Sequence, residues 1–156
     1  MKGKIGLEEH FAIDDTLNDS KGFFPEETWI EVRDRILDIP GRRLRLMDEF
    51  GMEMMILSLN APAIQAIPDA KKANEIARKA NDYLAEQVQK RPDRFQALAA
   101  LPLQDPDMAA EELQRCVKDL GMVGALANGF SQVRDPNTIA YLDEKQYWPF
   151  WSVCDE

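Results

Sequence analysis

The residues best equipped for chemistry lie close to the start of the chain. The segment KIGLEEHF, residues 4–11, closes an apolar run with Glu8, Glu9 and His10, and His10 is the single histidine of the sequence. In a β-strand, alternate side chains share a face, so Glu8 and His10 point together and Glu9 points away. Two residues of rise separate their backbones by roughly 6 to 7 Å, a gap that a carboxylate and an imidazole can close around one cation. Such a pair is half a site, because catalytic metal centres usually take three protein ligands. No second histidine is present to extend it. The same residues also admit a plainer reading, in which a lone histidine at a strand end is a hydrogen-bonded structural residue.

Positioning such a pair requires a scaffold, and the hydrophobic pattern supplies one. Four short apolar runs read as strands: KIGLEE, EMMILSL from Glu53, FQALAAL from Phe95 and MVGALAN from Met122. Each is near-continuous rather than alternating, the pattern of parallel strands covered on both faces. Helical segments lie between them. PEETWIEVRDRILDI opens with proline and two acids and sets Trp29, Val32 and Ile36 at helical spacing. A second helix is expected over 42–50, stopped by Gly51, and a long one over 69–90, closed by Arg91-Pro92, with Ile76, Ala80, Tyr83 and Leu84 on one stripe. In DPDMAAEELQRCVKDLG, Asp105 is the expected N-cap, Pro106 the first helical residue and Gly121 the stop.

Alternating strands and helices at this spacing predict an α/β fold with a parallel sheet. His10 then falls where the first strand gives way to its loop, and in α/β barrels the working residues occupy that end of the strands. The polar stretch 12–22 after this strand is the least regular part of the chain, and a long loop there is either functional or disordered.

Bulk composition narrows the function. The chain has 156 residues, 45% hydrophobic and 30% charged, as expected for one soluble globular domain. A net charge of −9 without a clustered basic surface argues against nucleic acid as the partner. It leaves an anionic substrate open, because a metal or a local dipole sets the field inside a pocket. No run reaches the roughly 18 apolar residues of a membrane span, and the N-terminus lacks a secretory apolar segment, so a cytoplasmic protein is expected. Cys116 and Cys154 show no CxxC spacing, and Cys116 shares a helical stripe with Leu113, Val117 and Leu120, which predicts a core thiol.

Four motifs in order, GLEEHFAI, ILSLNAPAIQAIPD, RPDRFQALAALPLQDPD and DLGMVGALANGFSQ, resemble the N-terminal half of the gamma-resorcylate (2,6-dihydroxybenzoate) decarboxylase family. This family sits in the amidohydrolase superfamily, in the branch of aminocarboxymuconate-semialdehyde decarboxylase. The resemblance implies a distorted (β/α)8 TIM-type barrel, of which residues 1–156 are the N-terminal half, about four βα units of a single domain with no separate second domain. It implies a divalent metal, zinc or manganese, and release of CO2 from a small aromatic carboxylate by a carboxy-lyase of aromatic compound catabolism, often a homotetramer.

Under the resemblance, Glu8 and His10 match the family's Glu-x-His metal motif, and the remaining ligands and the catalytic acid are expected beyond Glu156. Phe23, Ala61 and Asn128 carry over as substrate-pocket residues. Two of them have a second reading: Phe23 as a hydrophobic staple for the helix near Pro25, Asn128 with Gly129 as a turn. Two rival functions stay open, a hydrolase of the same superfamily acting on an amide or lactone, and an inactive half-barrel fragment. The isolated chain is expected to be inactive in any case.

Overall fold

The computed structural model describes residues 3–155. Four strands form one parallel sheet: β1 (Lys4–Phe11), β2 (Met52–Leu59), β3 (Phe95–Ala99) and β4 (Gly124–Ala125). Their spatial order is β1-β2-β3-β4, the same as their order along the chain. A doubly wound sheet reverses direction at a switch point, and this one does not. Each crossover therefore steps one strand in the same direction, as in the βα units of a barrel.

The crossovers are helical. α1 (Glu26–Leu37) and α2 (Leu44–Phe50) join β1 to β2, α3 (Ala70–Lys90) joins β2 to β3, and α4 (Pro106–Lys118) joins β3 to β4. The punctuation expected from the sequence governs their ends. Asp69 accepts from the Lys72 amide and caps α3, and Asp105 accepts from the Asp107 and Met108 amides ahead of Pro106. Gly51 closes α2 in the left-handed region, φ 67°, where a side chain would strain the backbone. Between α1 and α2, Asp38 accepts from the Gly41 and Arg42 amides and turns the chain through a wide π-type turn, Ile39–Arg43.

The core lies between the sheet and these helices. Along β3, Phe95, Ala97 and Ala99 are buried while Gln96 and Leu98 are partly exposed. Ile5 and Leu7 of β1 are 56% and 68% exposed. The expectation of strands covered on both faces is thus met on one face only. Helices of a barrel-type sheet all pack outside it, and the inner face is covered by other strands of the same barrel, not by helices.

Two features were not anticipated. β5 (Phe130–Gln132) and β6 (Ile139–Tyr141) form an antiparallel hairpin, with Asp135 accepting from the Asn137 and Thr138 amides at its turn. Of the run MVGALAN only Gly124 and Ala125 form the ladder, extended by Val123 N–H to Ala97 O and Leu126 N–H to Ala99 O. The last helix, α5 (Trp148–Cys154), packs on α4. Cys116 is fully buried, as its stripe predicts. Among the described residues, no helix is long and apolar enough to cross a membrane.

Candidate metal-ligand site at the end of the first strand

The pairing of β1 with β2 determines where Glu8 and His10 point. Gly6 pairs with Met55 and Glu9 with Leu57, so three steps along β1 match two along β2. The extra residue is a β-bulge at Leu7-Glu8. In a regular strand Gly6 and Glu9 would face opposite sides, but here they share one: a Cβ on Gly6 would sit 2.8 Å from Glu9 Oε1 and 2.9 Å from its Cγ. Only glycine leaves room for the Glu9 side chain to lie across the strand.

Gly6, Glu9 and the buried Phe11, which stacks on Tyr83 of α3, therefore face the helices. Leu7, Glu8 and His10 face the open side, at the C-terminal end of β1. Alternation alone puts Glu8 and His10 on one face, and the bulge preserves that outcome by another route. It also carries Leu7 to the same face, which alternation does not anticipate.

His10 is held at two points. Opposite it in the ladder stands Ser58, fully buried, with its Oγ 3.0 Å from His10 Nδ1. Behind the strand, Arg43 Nη2 donates to the His10 carbonyl at 2.6 Å and to the Arg35 carbonyl at 3.2 Å. Burial lowers the pKa of the Arg43 guanidinium, opposed by the negative charges of Glu9 and Asp38. With Nδ1 taken up by Ser58, the Nε2 of His10 is the nitrogen left for a ligand.

The loop after β1 is tied to the end of β2 by a second polar cluster. Asn60, 3% exposed, accepts from Thr16 Oγ1 at 2.9 Å and donates to Thr16 O and Ser20 Oγ, both at 2.9 Å. Ser20 Oγ in turn donates to Ala61 O. One side chain thus satisfies the buried groups of an otherwise irregular loop. Asn60→Ala removes three hydrogen bonds to Thr16 and Ser20, whose groups each keep one other partner, at about 0.5–1.5 kcal/mol for each bond lost. Hydrogen exchange is expected to accelerate across residues 12–24 first, with α3 and β3 unaffected.

The other candidate residues are spread along the strand ends. Ala61 follows β2 and is half-buried. Asn128 lies beyond β4, where its amide and carbonyl are gripped by Gln65, whose Nε2 also reaches Phe130 O at 2.7 Å. Asn128 borders a small cavity of about 20 Å³ with Asn60, Gln65 and Ala99. Glu8, Glu9 and His10 all border a different, larger one, of about 360 Å³, whose further walls include Phe24, Val32 and Arg43.

Phe23 lines neither cavity and is 71% exposed. The staple at the start of α1 is made by its neighbour: Phe24, just before the Pro25 cap, stacks on Trp29 with ring centroids 6.2 Å apart. Phe23 is free of that duty, which corrects its structural reading.

Sequence reasoning overlooked Ser58, Asn60, Gln65 and Arg43. The first two were detectable, since ILSLN places two polar residues at alternate positions in an apolar strand. Gln65 and Arg43 carry no such signal, because their partners, mostly backbone groups, are brought to them by the fold.

Comparison with known proteins gives these positions a context. A family model described as amidohydrolase matches residues 10–156. Gamma-resorcylate decarboxylase of Rhizobium sp. is 67% identical over 156 residues, covering 100% of this chain and 48% of that protein. The crystal structure of a 2,6-dihydroxybenzoate decarboxylase complexed with 2,6-dihydroxybenzoate superposes with a TM-score of 0.97 at 65% identity, covering 99% of this chain and 48% of the other. A dihydroxybenzoic acid decarboxylase from Polaromonas sp., with bound manganese and the inhibitor 2-nitroresorcinol, gives a TM-score of 0.95 at 63% identity, with 98% and 46% covered. The chain spans about half the length of the curated relatives it matches.

Proposed function

The chain belongs to the amidohydrolase family, and on that premise we propose that the whole protein is a divalent-metal-dependent carboxy-lyase that releases CO2 from a hydroxylated benzoate such as 2,6-dihydroxybenzoate. Residues 1–156 are then the N-terminal half of one (β/α)8 barrel domain. The observation that carries the reading is one carboxylate and one imidazole, Glu8 and His10, on the open face at the C-terminal end of β1. Barrel enzymes work at that end of the sheet.

An oxygen and a nitrogen donor suit zinc or manganese. Among the described residues, no group of three or more acidic, histidine or cysteine side chains gathers around one point. In this reading the remaining ligands and the catalytic acid come from outside residues 1–156, and the 156-residue chain alone is expected to be inactive. When bound, the cation neutralises the substrate carboxylate and fixes its orientation.

The residues of this chain hold and shape the site. Glu8 and His10 serve as ligands, not as proton carriers. In this reading Phe23 meets the aromatic ring and Ala61 and Asn128 line the substrate pocket of the whole protein, although none of the three borders the cavity at Glu8 and His10 in residues 3–155. Protonation of the ring carbon that bears the carboxylate, by an acid outside this chain, precedes loss of CO2 and return of aromaticity. The same reading makes the protein a cytoplasmic homotetramer of aromatic compound catabolism, which sedimentation of the whole protein tests for assembly.

The deciding assay incubates the whole protein, loaded with manganese or zinc, with 2,6-dihydroxybenzoate and follows CO2 and resorcinol. Stoichiometric formation of both is expected. Hydrolysis of an amide or lactone without CO2 from any hydroxybenzoate would replace this reading with the hydrolase one.

A further inference from the structure

We propose that Ser58 is a positioning residue that holds the His10 imidazole with Nε2 presented to the cation. The inference rests on the reading of Glu8 and His10 as ligands, and it assigns a role to a residue that touches neither metal nor substrate.

Three observations carry it. Ser58 is fully buried, and its Oγ stands 3.0 Å from His10 Nδ1. Serine is the one hydroxyl residue in the apolar strand MEMMILSL, and burying it there carries a cost that a hydrogen bond must offset. The two residues are also direct ladder partners, His10 against Ser58, so the contact is set by strand register and not by a flexible side chain. A histidine ligand needs its second ring nitrogen anchored if the first is to keep its lone pair aimed at a metal. Nδ1–H donating to Ser58 Oγ provides that anchor and selects the tautomer with Nε2 unprotonated.

The Arg43 grip on the His10 carbonyl fixes the backbone of the same residue. Backbone and ring are thus restrained from opposite sides of the strand. Ring rotation about the two side-chain torsions is the freedom left, and Ser58 is the group that removes it.

The test compares Ser58→Thr with Ser58→Val in the whole protein. The two replacements are nearly equal in shape and differ by one hydroxyl, so any packing penalty is common to both. Metal-free protein is titrated with Mn2+ by chelator competition, with Glu8→Ala and His10→Ala in the same series and thermal melts of each metal-free variant. The expected result is Mn2+ affinity roughly 10- to 100-fold weaker in Ser58→Val than in Ser58→Thr, with matching melting temperatures of the metal-free forms.

Selective 15N labelling of histidine adds a readout independent of turnover, since loss of the anchor shifts the His10 ring nitrogens toward mixed tautomers in Ser58→Val alone. Equal Mn2+ affinity in the two Ser58 variants, while Glu8→Ala and His10→Ala lose the metal, would overturn the role of Ser58 and leave the ligand reading standing. Retention of metal by Glu8→Ala and His10→Ala would overturn both.

Discussion

Alanine at Glu8 or at His10 is expected to strip the whole protein of most of its bound metal and to lower CO2 release by about a thousandfold. The magnitude follows from the several kcal/mol that a bound cation contributes to stabilising charge, at tenfold in rate for each 1.36 kcal/mol. The informative control is the carboxylate next door. Glu9 lies across Gly6 on the helix-facing side of β1, where its charge faces Arg43. Glu9→Gln is therefore expected to keep its metal, although it stands between the two proposed ligands in sequence. Metal analysis of purified variants, alongside CO2 evolution, distinguishes them. Equal metal loss at positions 8, 9 and 10 would mean that β1 is merely disrupted, and the facing assigned to its side chains would fall with it.

That contrast also indicates how far the sequence could be read unaided. Strand and helix alternation was legible because three of the helices carry local end signals: Asp69 and Asp105 bond to the amides of the first turns of α3 and α4, and Gly51 turns left-handed after α2. These signals are local, and local signals survive in sequence. The bulge in β1 was not legible, because it exists only as a register between two strands separated by about forty residues. Gly6 was its trace, and a lone glycine in a strand has several meanings. The openness of one sheet face was hidden for a similar reason, as an apolar run is the same whether helices or other strands cover it.

The candidate site was half legible in the same sense. Glu8 and His10 were identifiable from residue type and spacing, whereas the groups that restrain them act across the fold. Arg43 reaches a carbonyl on β1, and Ser58 meets His10 only because β1 and β2 are aligned. Phe23 shows the limit of local reading from the other side. Both it and Phe24 precede Pro25, and sequence alone could not say which ring would fold onto Trp29.

The largest loss of stability is expected far from this site, at Glu112. Its carboxylate is 1% exposed on α4, yet it is fully partnered. Arg115 donates to both oxygens at 2.7 and 2.8 Å, Arg78 to one at 2.8 Å and Asn81 to the other at 2.8 Å. Asn81 also pairs with the Ala100 backbone through both its amide groups, so Glu112 links α4 to α3 and to the end of β3. Glu112→Ala leaves Arg115 with Asp82 alone and removes the link, an expected cost of about 3–5 kcal/mol. Set against the roughly 5–15 kcal/mol that stabilises a domain, this is a severe lesion, readable as a drop in the urea midpoint. The pH dependence has a definite sign. Burial alone would raise the Glu112 carboxyl, but the hydrogen bonds from Arg115 and Asn81 prevail and hold it below its ordinary value of 4.5. A depressed folded pKa stabilises the protein above the ordinary value and loses that contribution as pH falls through the folded one. The stability gap between wild type and Glu112→Gln is therefore expected to be full near neutral pH and to close progressively below about pH 4.5. Urea titrations at intervals across that range measure it directly. A gap that stays constant with pH would mean that the carboxylate's charge contributes nothing there, and that the gap comes from the exchange of an acceptor oxygen for an amide donor.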